Sequence, residues 1–345
     1  MDNITQWVIW GSLYTLITGK HTNKNFWLGA GIANIPDLDV FVGRLLPLSP
    51  MDVQFFHRGI MHSIVFNIGI ALLLGYALYR SDRTIPYRRY SLAVFVSIFF
   101  GHLLIDGMTS YGMRYWLPFS ERTTSTDNIF IIDFGMRAIT IGGLIRYMIW
   151  SAKTKIAKYI LIAVWLYIAF TFGMRQYVTQ IFEDHYPKRG IPITVIKSRT
   201  FPEPLQPFLR RHVVKTPRGY YEWYYSVFDT NKKIDWTWLE SSRIDEELLH
   251  TKSLWTSDTS RYLRYILSAS RDMVRVIPTD DGYRLDNMVF GSFWSTDADR
   301  PRMFGFNIQW TGDIITITQA SEERRVWSIQ ILWNKLRKRV FGNKE

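Results

Sequence analysis

Leu92-Ala93-Val94-Phe95-Val96-Ser97-Ile98-Phe99-Phe100-Gly101-His102-Leu103-Leu104-Ile105-Asp106 is an apolar run that ends on an imidazole and a carboxylate four residues apart. On a helix those two side chains share a face and can converge on one ion. At bilayer depth both groups are costly and ask for a partner that offsets their desolvation. A second motif, His57-Arg58-Gly59-Ile60-Met61-His62-Ser63, leads into another apolar run. Together they read as a metal-site pattern in a membrane protein, with a divalent cation as the missing partner. The plainer reading of His102 and Asp106 is a buried hydrogen bond that ties two helices together.

Working outward, apolar segments recur at 4–18, 26–35, 60–79, 92–108, 129–150 and 156–174, close to the roughly 20 helical residues that cross a bilayer. The second is short and should stop at Pro36, because proline disfavours helix in the residue before it. The expected fold is an α-helical multi-pass membrane domain of about five to six helices over 1–178, followed by a mostly β extracytoplasmic domain over 179–345. In that second part, 220–228 and 234–239 flank the turn Asn231-Lys232-Lys233. The segments 275–278 and 283–289 flank Asp280-Asp281-Gly282, and Phe304, Phe306, Ile308 and Trp310 alternate before Gly312, as hairpins do. Ile329, Leu332, Trp333, Leu336 and Val340 keep helical spacing among Lys335, Arg337, Lys338 and Arg339, either an interfacial amphipathic helix or a terminal helix docked on its own domain.

Composition narrows the chemistry. With no cysteine among 345 residues, thiolate catalysis, Cys-ligated zinc and disulfides are excluded, so a metal must rest on His, Asp, Glu or Asn. A net charge of +12 points to juxtamembrane loops and membrane lipid rather than nucleic acid, which is not expected as a partner. Nothing near Met1-Asp2-Asn3 reads as a cleavable signal. Arg80, Arg83, Arg88 and Arg89 fill one short loop and Lys153, Lys155 and Lys158 another; both are expected in the cytoplasm. Counting spans from them puts His57, the end of the fourth helix and everything after Arg175 on the outer face of the cytoplasmic (inner) membrane.

His57 and His62 bracket Arg58-Gly59 where a helix begins, so a loop imidazole and a first-turn imidazole can face one space, with Arg58 and Ser63 as supporting donors; the alternative is a loop residue and a cap. Asp37 and Asp39 follow Pro36 and read either as ligands to one or two hard cations or as a helix stop with a capping aspartate. Asp127 and Asp133 open the next helix, where the dipole favours a carboxylate in any case. His185, His212 and His250 have no such company and read as fold residues, as do Trp223, Trp236, Trp238 and Trp255.

These elements resemble, in order, the YdjM-like inner-membrane proteins, a family described as metal-dependent hydrolases. The resemblance rests on Met1-Asp2-x-x-Thr5, Pro36-Asp37-Leu38-Asp39, the 57–63 motif, His102-x-x-x-Asp106-x-x-Thr109-Ser110-Tyr111-Gly112, and Leu117-Pro118-Phe119-Ser120 followed by Asp127 to Asp133. It covers most of residues 1–135, and more distantly is similar to the helical zinc phospholipase C and single-strand nuclease superfamily. It implies a multi-pass protein with a hydrolytic site for one or two divalent ions, zinc first. The metal set would be His57, His62, His102, Asp106, Asp37 and Asp39. Asp127 would serve as base or further ligand, and Arg58 or Arg114 would meet developing negative charge. The expected substrate is an anionic phosphoester in a lipid or lipid-linked molecule. Gln6 departs from the pattern, which has His after the N-terminal Thr; an amide oxygen is a poorer zinc ligand than imidazole. The rival expectation is a non-catalytic membrane protein with a structural metal or polar cluster and a partner-binding β domain. A transporter fits less well, because the motifs sit at one face rather than the midplane.

Overall fold

The computed structural model describes residues 2–185, 194–229, 236–242, 257–291, 302, 304–311, 314–320 and 329–341. The turn at 231–233, Gly312, His250 and Trp255 lie outside the described residues. The chain divides into two units, 1–172 with 204–206, and 173–203 with 207–345. The division falls inside one long helix, whose last turns belong to the second unit: Val178, Ile181 and Phe182 pack with Trp223 and Tyr225.

The first unit is helical: α1 (Asn3–Thr18), α2 (Asn23–Ala33), α3 (Asp39–Leu45), α4 (Pro50–Phe56), α5 (Ile64–Ser81), α6 (Tyr87–Ile98), α7 (Leu104–Gly107), α8 (Phe134–Ile149) and α9 (Lys153–Glu183). Caps set many of these boundaries. Asp2 accepts the Thr5 N–H at the start of α1, and Gly19, at φ 76°, closes its end by donating to the Thr15 carbonyl. Ser63 caps α5 through the Phe66 N–H. Asp133 caps α8 through the Met136 N–H, which is why that helix begins at 134 and not at 129. Pro36 stops α2 as expected, but the chain does not leave for a loop: it passes through a single 3-10 turn, Ile35–Leu38, straight into α3.

Among the described residues three helices, Ile64–Ser81, Tyr87–Gly107 and Lys153–Glu183, are long and apolar enough to cross a membrane, against the five to six helices expected. The others are shorter, and α1 differs in kind. Its Val8, Ile9, Trp10 and Tyr14 are buried, and so are Thr5, Gln6, Ser12 and Thr15. It is the core strut of the bundle, and Ser12 and Thr15 satisfy themselves on the Val8 and Gly11 carbonyls of their own helix. By contrast Leu72, Leu73 and Tyr76 on α5 and Tyr159, Ile162 and Leu166 on α9 are exposed, an outward apolar face of the kind a bilayer can cover.

Among the described residues the second unit holds two four-stranded antiparallel sheets. The first is β1 (Lys197–Pro202), β2 (Leu209–Thr216), β3 (Gly219–Ser226) and β4 (Thr237–Glu240); the second is β5 (Val274–Thr279), β6 (Gly282–Asn287), β7 (Phe306–Thr311) and β8 (Ile314–Gln319). Each is a meander in sequence order. The β5–β6 hairpin turns at Asp280-Asp281, with Thr279 opposite Gly282. Two further helices, α10 (Ser257–Ala269) and α11 (Ile329–Val340), accompany the sheets.

Candidate metal centre

The helix that runs through 87–107 is not regular. Between α6 and α7 it widens into a π-helical turn, Phe99–Leu103, and His102 sits in that turn; such insertions recur at functional sites because they re-aim a side chain without ending the helix. Gly101 makes room for it. A Cβ there would lie 2.2 Å from Trp10 Cδ1, and the Trp10 indole stacks on the His102 ring at 5.0 Å between centroids. The imidazole Nδ1 lies 2.9 Å from the Ala33 carbonyl oxygen at the end of α2. A carbonyl can only accept, so Nδ1 carries the proton and a neutral His102 presents its lone pair at Nε2.

His62 arrives from another direction, on the 3-10 turn Ile60–His62. Asn67 pins that turn from α5, donating through Nδ2 to the Met61 and Ser63 carbonyls. Its Nε2 lies 3.3 Å from Asp37 Oδ1, and the same oxygen lies 3.3 Å from His102 Nε2. Asp37, His62 and His102 thus bring one ligand atom each within 4.8 Å of one another. Ligands about 2.0–2.1 Å from a tetrahedral ion are roughly 3.3 Å apart, so the two edges that meet at Asp37 Oδ1 match. Among the described residues His102 Nε2, fully buried, has no hydrogen-bond donor. The Asp-His-His set can hold a metal ion, and its donor types suit a borderline cation better than a hard one.

The remaining predicted ligands form a surrounding layer. Asp39 Oδ1 takes His57 Nδ1 at 2.9 Å, while Oδ2 accepts the Arg58 backbone N–H at 2.9 Å and lies 3.0 Å from His62 Nδ1. Asp106 Oδ2 lies 3.0 Å from an Arg58 guanidinium nitrogen and 3.6 Å from His102 Nε2, and Asp106 Oδ1 accepts from Gln6 Nε2 at 2.9 Å. Arg58 holds a left-handed backbone, φ 57°, which costs energy in a side-chain-bearing residue. Three contacts keep it there: Asp39 on its N–H, Asp106 on its guanidinium and a further donation to the Gly112 carbonyl at 2.9 Å. Asp127 also has positive φ, 52°, and accepts from Ser125 Oγ at 3.0 Å. Arg114 donates to the Phe55 carbonyl at 2.7 Å.

Charge balance explains how this arrangement titrates. Burial works to raise the Asp37 and Asp39 carboxyls, but the neighbouring imidazoles outweigh it. Asp37 is held well below the usual carboxylate range by His102 and His62, and Asp39 is lowered to about 2 by His57 and His62. Burial in turn works to lower His62, yet the Asp37 and Asp39 carboxylates push it up. The pocket therefore draws in positive charge, as protons or as a cation.

Sequence motifs led to the neighbourhood but not to its inner and outer layers. The Ala33 carbonyl that fixes His102 carried no motif signal, whereas Gln6, singled out by its departure from the family pattern, reaches the cluster through Asp106. A family model described as YdjM inner membrane protein matches residues 1–178. No curated protein and no solved structure matches the chain.

Proposed function

The chain belongs to the YdjM inner membrane protein family, and from that premise we propose that it is a membrane-bound, metal-dependent hydrolase of a phosphoester in a lipid or lipid-linked substrate. The observation that carries this reading is the meeting of His62 Nε2, His102 Nε2 and Asp37 Oδ1 in one buried corner. Asp37, His62 and His102 would hold one or two divalent ions, zinc first, which would supply an acidified water and a polarised scissile group. Asp39 and the Ala33 carbonyl orient the two imidazoles so that their lone pairs face inward. Asp37, with its side chain 21% exposed, opens the corner toward the solvent side. His57, 37% exposed and bonded through Nδ1 to Asp39, is the reachable imidazole and serves to carry a proton at Nε2. Arg58 is committed to Asp106, so its charge orients that carboxylate and sets the local potential. The lipid assignment is supported by apolar side chains on the segments that flank the site: Phe41 and Leu45 on α3 and Phe119 beyond α7 are 61%, 85% and 80% exposed.

The site and the second unit would lie on the outer face, with Arg83 and Lys153 in the cytoplasm. The cysteine-free sequence suits labelling: Arg218→Cys should react in intact cells and Arg83→Cys only after they are opened, and the reverse pattern overturns the topology.

A non-catalytic reading has one observation in its favour. His62 and His102 are fully buried and the Asp39 oxygens are saturated from within, as a structural knot would be. Turnover by metal-analysed full-length protein on a panel of phosphoesters and phospholipids separates the two. The hydrolase reading expects metal-dependent turnover that His102→Ala abolishes, with metal affinity falling more than about 100-fold, beyond what loss of an orienting group causes. Stoichiometric metal without turnover on any member of the panel would favour the knot.

A further inference from the structure

Away from the metal centre, α8 and α9 enclose a groove of about 520 Å³ whose wall is apolar and whose mouth is basic. Gly143 lets the helices meet at its floor, since a Cβ there would lie 2.5 Å from Ile160. Arg146 and Lys155 stand at the mouth with the exposed aromatics Trp150 and Tyr159. The Arg146 guanidinium lies 4.2 Å over the Trp150 ring, which fixes its plane while leaving its donors available. No Asp or Glu occurs from 134 to 182, and neither cation makes an ion pair among the described residues. Lys153 next door is different: it is spent on Asn23 Oδ1 and the Tyr147 carbonyl.

We propose that this groove binds one anionic phospholipid, its phosphate held by Arg146 and Lys155 and an acyl chain lying along Gly143 and Ile160. Charge complementarity selects the occupant. A peptide or a neutral lipid would leave two cations unanswered, whereas a basic pocket between helices at the end of a membrane-spanning segment matches an anionic headgroup above an apolar tail. The helix that forms one wall, Lys153–Glu183, is itself long and apolar enough to span, so the groove opens where acyl chains are. Trp150 and Tyr159 mark the level of the headgroups, where amphipathic rings settle.

The test uses the full-length protein in detergent with dioleoyl phosphatidylglycerol or dioleoyl phosphatidylcholine added, and reads bound lipid by native mass spectrometry. Phosphatidylglycerol should be retained in preference to phosphatidylcholine. The Arg146→Gln/Lys155→Gln double variant should retain it roughly 30-fold less, from two surface cations each worth about a factor of five. Ala163→Phe, which fills the wall and keeps the charge, should also release it. Should that variant fail to fold, the exposed double variant decides. Equal retention of the two lipids, unchanged retention in the double variant, or displacement by an equal concentration of inorganic phosphate would each overturn the proposal.

Discussion

Two buried polar clusters, one in each unit, look alike in composition and differ in what they lack. In the second unit Glu222 is gripped on both oxygens by Arg302, at 2.6 and 2.7 Å, and again by Arg211 at 2.8 Å. Arg211 spends its remaining donors on the Met288 and Val289 carbonyls and, at a longer 3.3 Å, on Glu203. Each carboxylate there is answered by a guanidinium. In the first unit Asp37 meets only imidazole nitrogens, with no guanidinium or ammonium partner among the described residues. The neutral His102 ring has already committed its Nδ1 proton to the Ala33 carbonyl, so its Nε2 has none to give that carboxylate. A cluster closed on itself needs nothing further, whereas one rich in acceptors is completed by a cation from outside. The imbalance, more than the burial, marks the functional candidate.

The sharpest way to break this contrast is Glu222→Leu. It strands Arg302 as an uncompensated buried charge and leaves Arg211 only its longer contact to Glu203, so the second unit should lose about 3–5 kcal/mol, read by thermal or denaturant unfolding of the full chain followed through its tryptophans. Metal content should not change. A fall in bound metal would show that the two clusters are not independent.

Within the closed cluster Glu203 is the weak member. Burial pushes its carboxyl up to about 7, only partly opposed by Arg211. Its folded value then exceeds the ordinary 4.5, so the native state holds an extra proton between the two. Stability from this group is full below pH 4.5 and is lost as pH rises toward 7, by on the order of 3 kcal/mol. Glu203→Gln should flatten that decline between pH 4.5 and 7, measured as the change in unfolding free energy. A wild-type decline that persists in the variant assigns it to another group.

The two clusters were unequally legible in the sequence. His57, His62, His102 and Asp106 could be read because short spacings bring metal-ligating types together on helix faces. Their division into an inner set with Asp37 and an outer set with Asp39 could not, since it turns on a π-helical turn at 99–103 and a left-handed Arg58, both imposed by packing. The second cluster was invisible. Arg210, Arg211 and His212 in β2 are buried, but a strand reading Leu-Arg-Arg-His-Val-Val lacks the polar–apolar alternation that announces a half-buried strand. The β5–β6 hairpin was legible because its turn residues demand a turn. About five to six helices were expected against three long apolar ones among the described residues, because apolarity does not distinguish a lipid-facing helix from α1, which is greasy because it is the core.

Asp39→Asn probes the outer layer of the open cluster. It keeps size and removes the charge that faces His62 Nδ1 and His57 Nδ1, and should weaken metal binding by roughly 10–100-fold, the usual consequence of losing a carboxylate behind a ligating histidine. Competition with a chromophoric chelator measures it. An unchanged affinity would move His62 out of the ligand set.

Gln6 should give the smallest effect and decides how far α1 belongs to the site. Its Nε2 donates to Asp106 Oδ1 at 2.9 Å while its buried Oε1 has no hydrogen-bond partner. It therefore touches the cluster through Asp106 and not through the three converging atoms. Gln6→Ala removes one donor from a carboxylate that Arg58 still holds, so metal affinity should fall less than about tenfold, below the range for groups bonded directly to a ligand. Gln6→His replaces an amide oxygen lacking a donor with an imidazole lone pair at the same place. If that position lies within reach of a bound ion, the variant should bind zinc more tightly or shift its preference toward softer ions. Unchanged metal content and preference in Gln6→His would show that α1 supports the site only by packing Trp10 on His102, and that the amide on Asp106 is a structural tie.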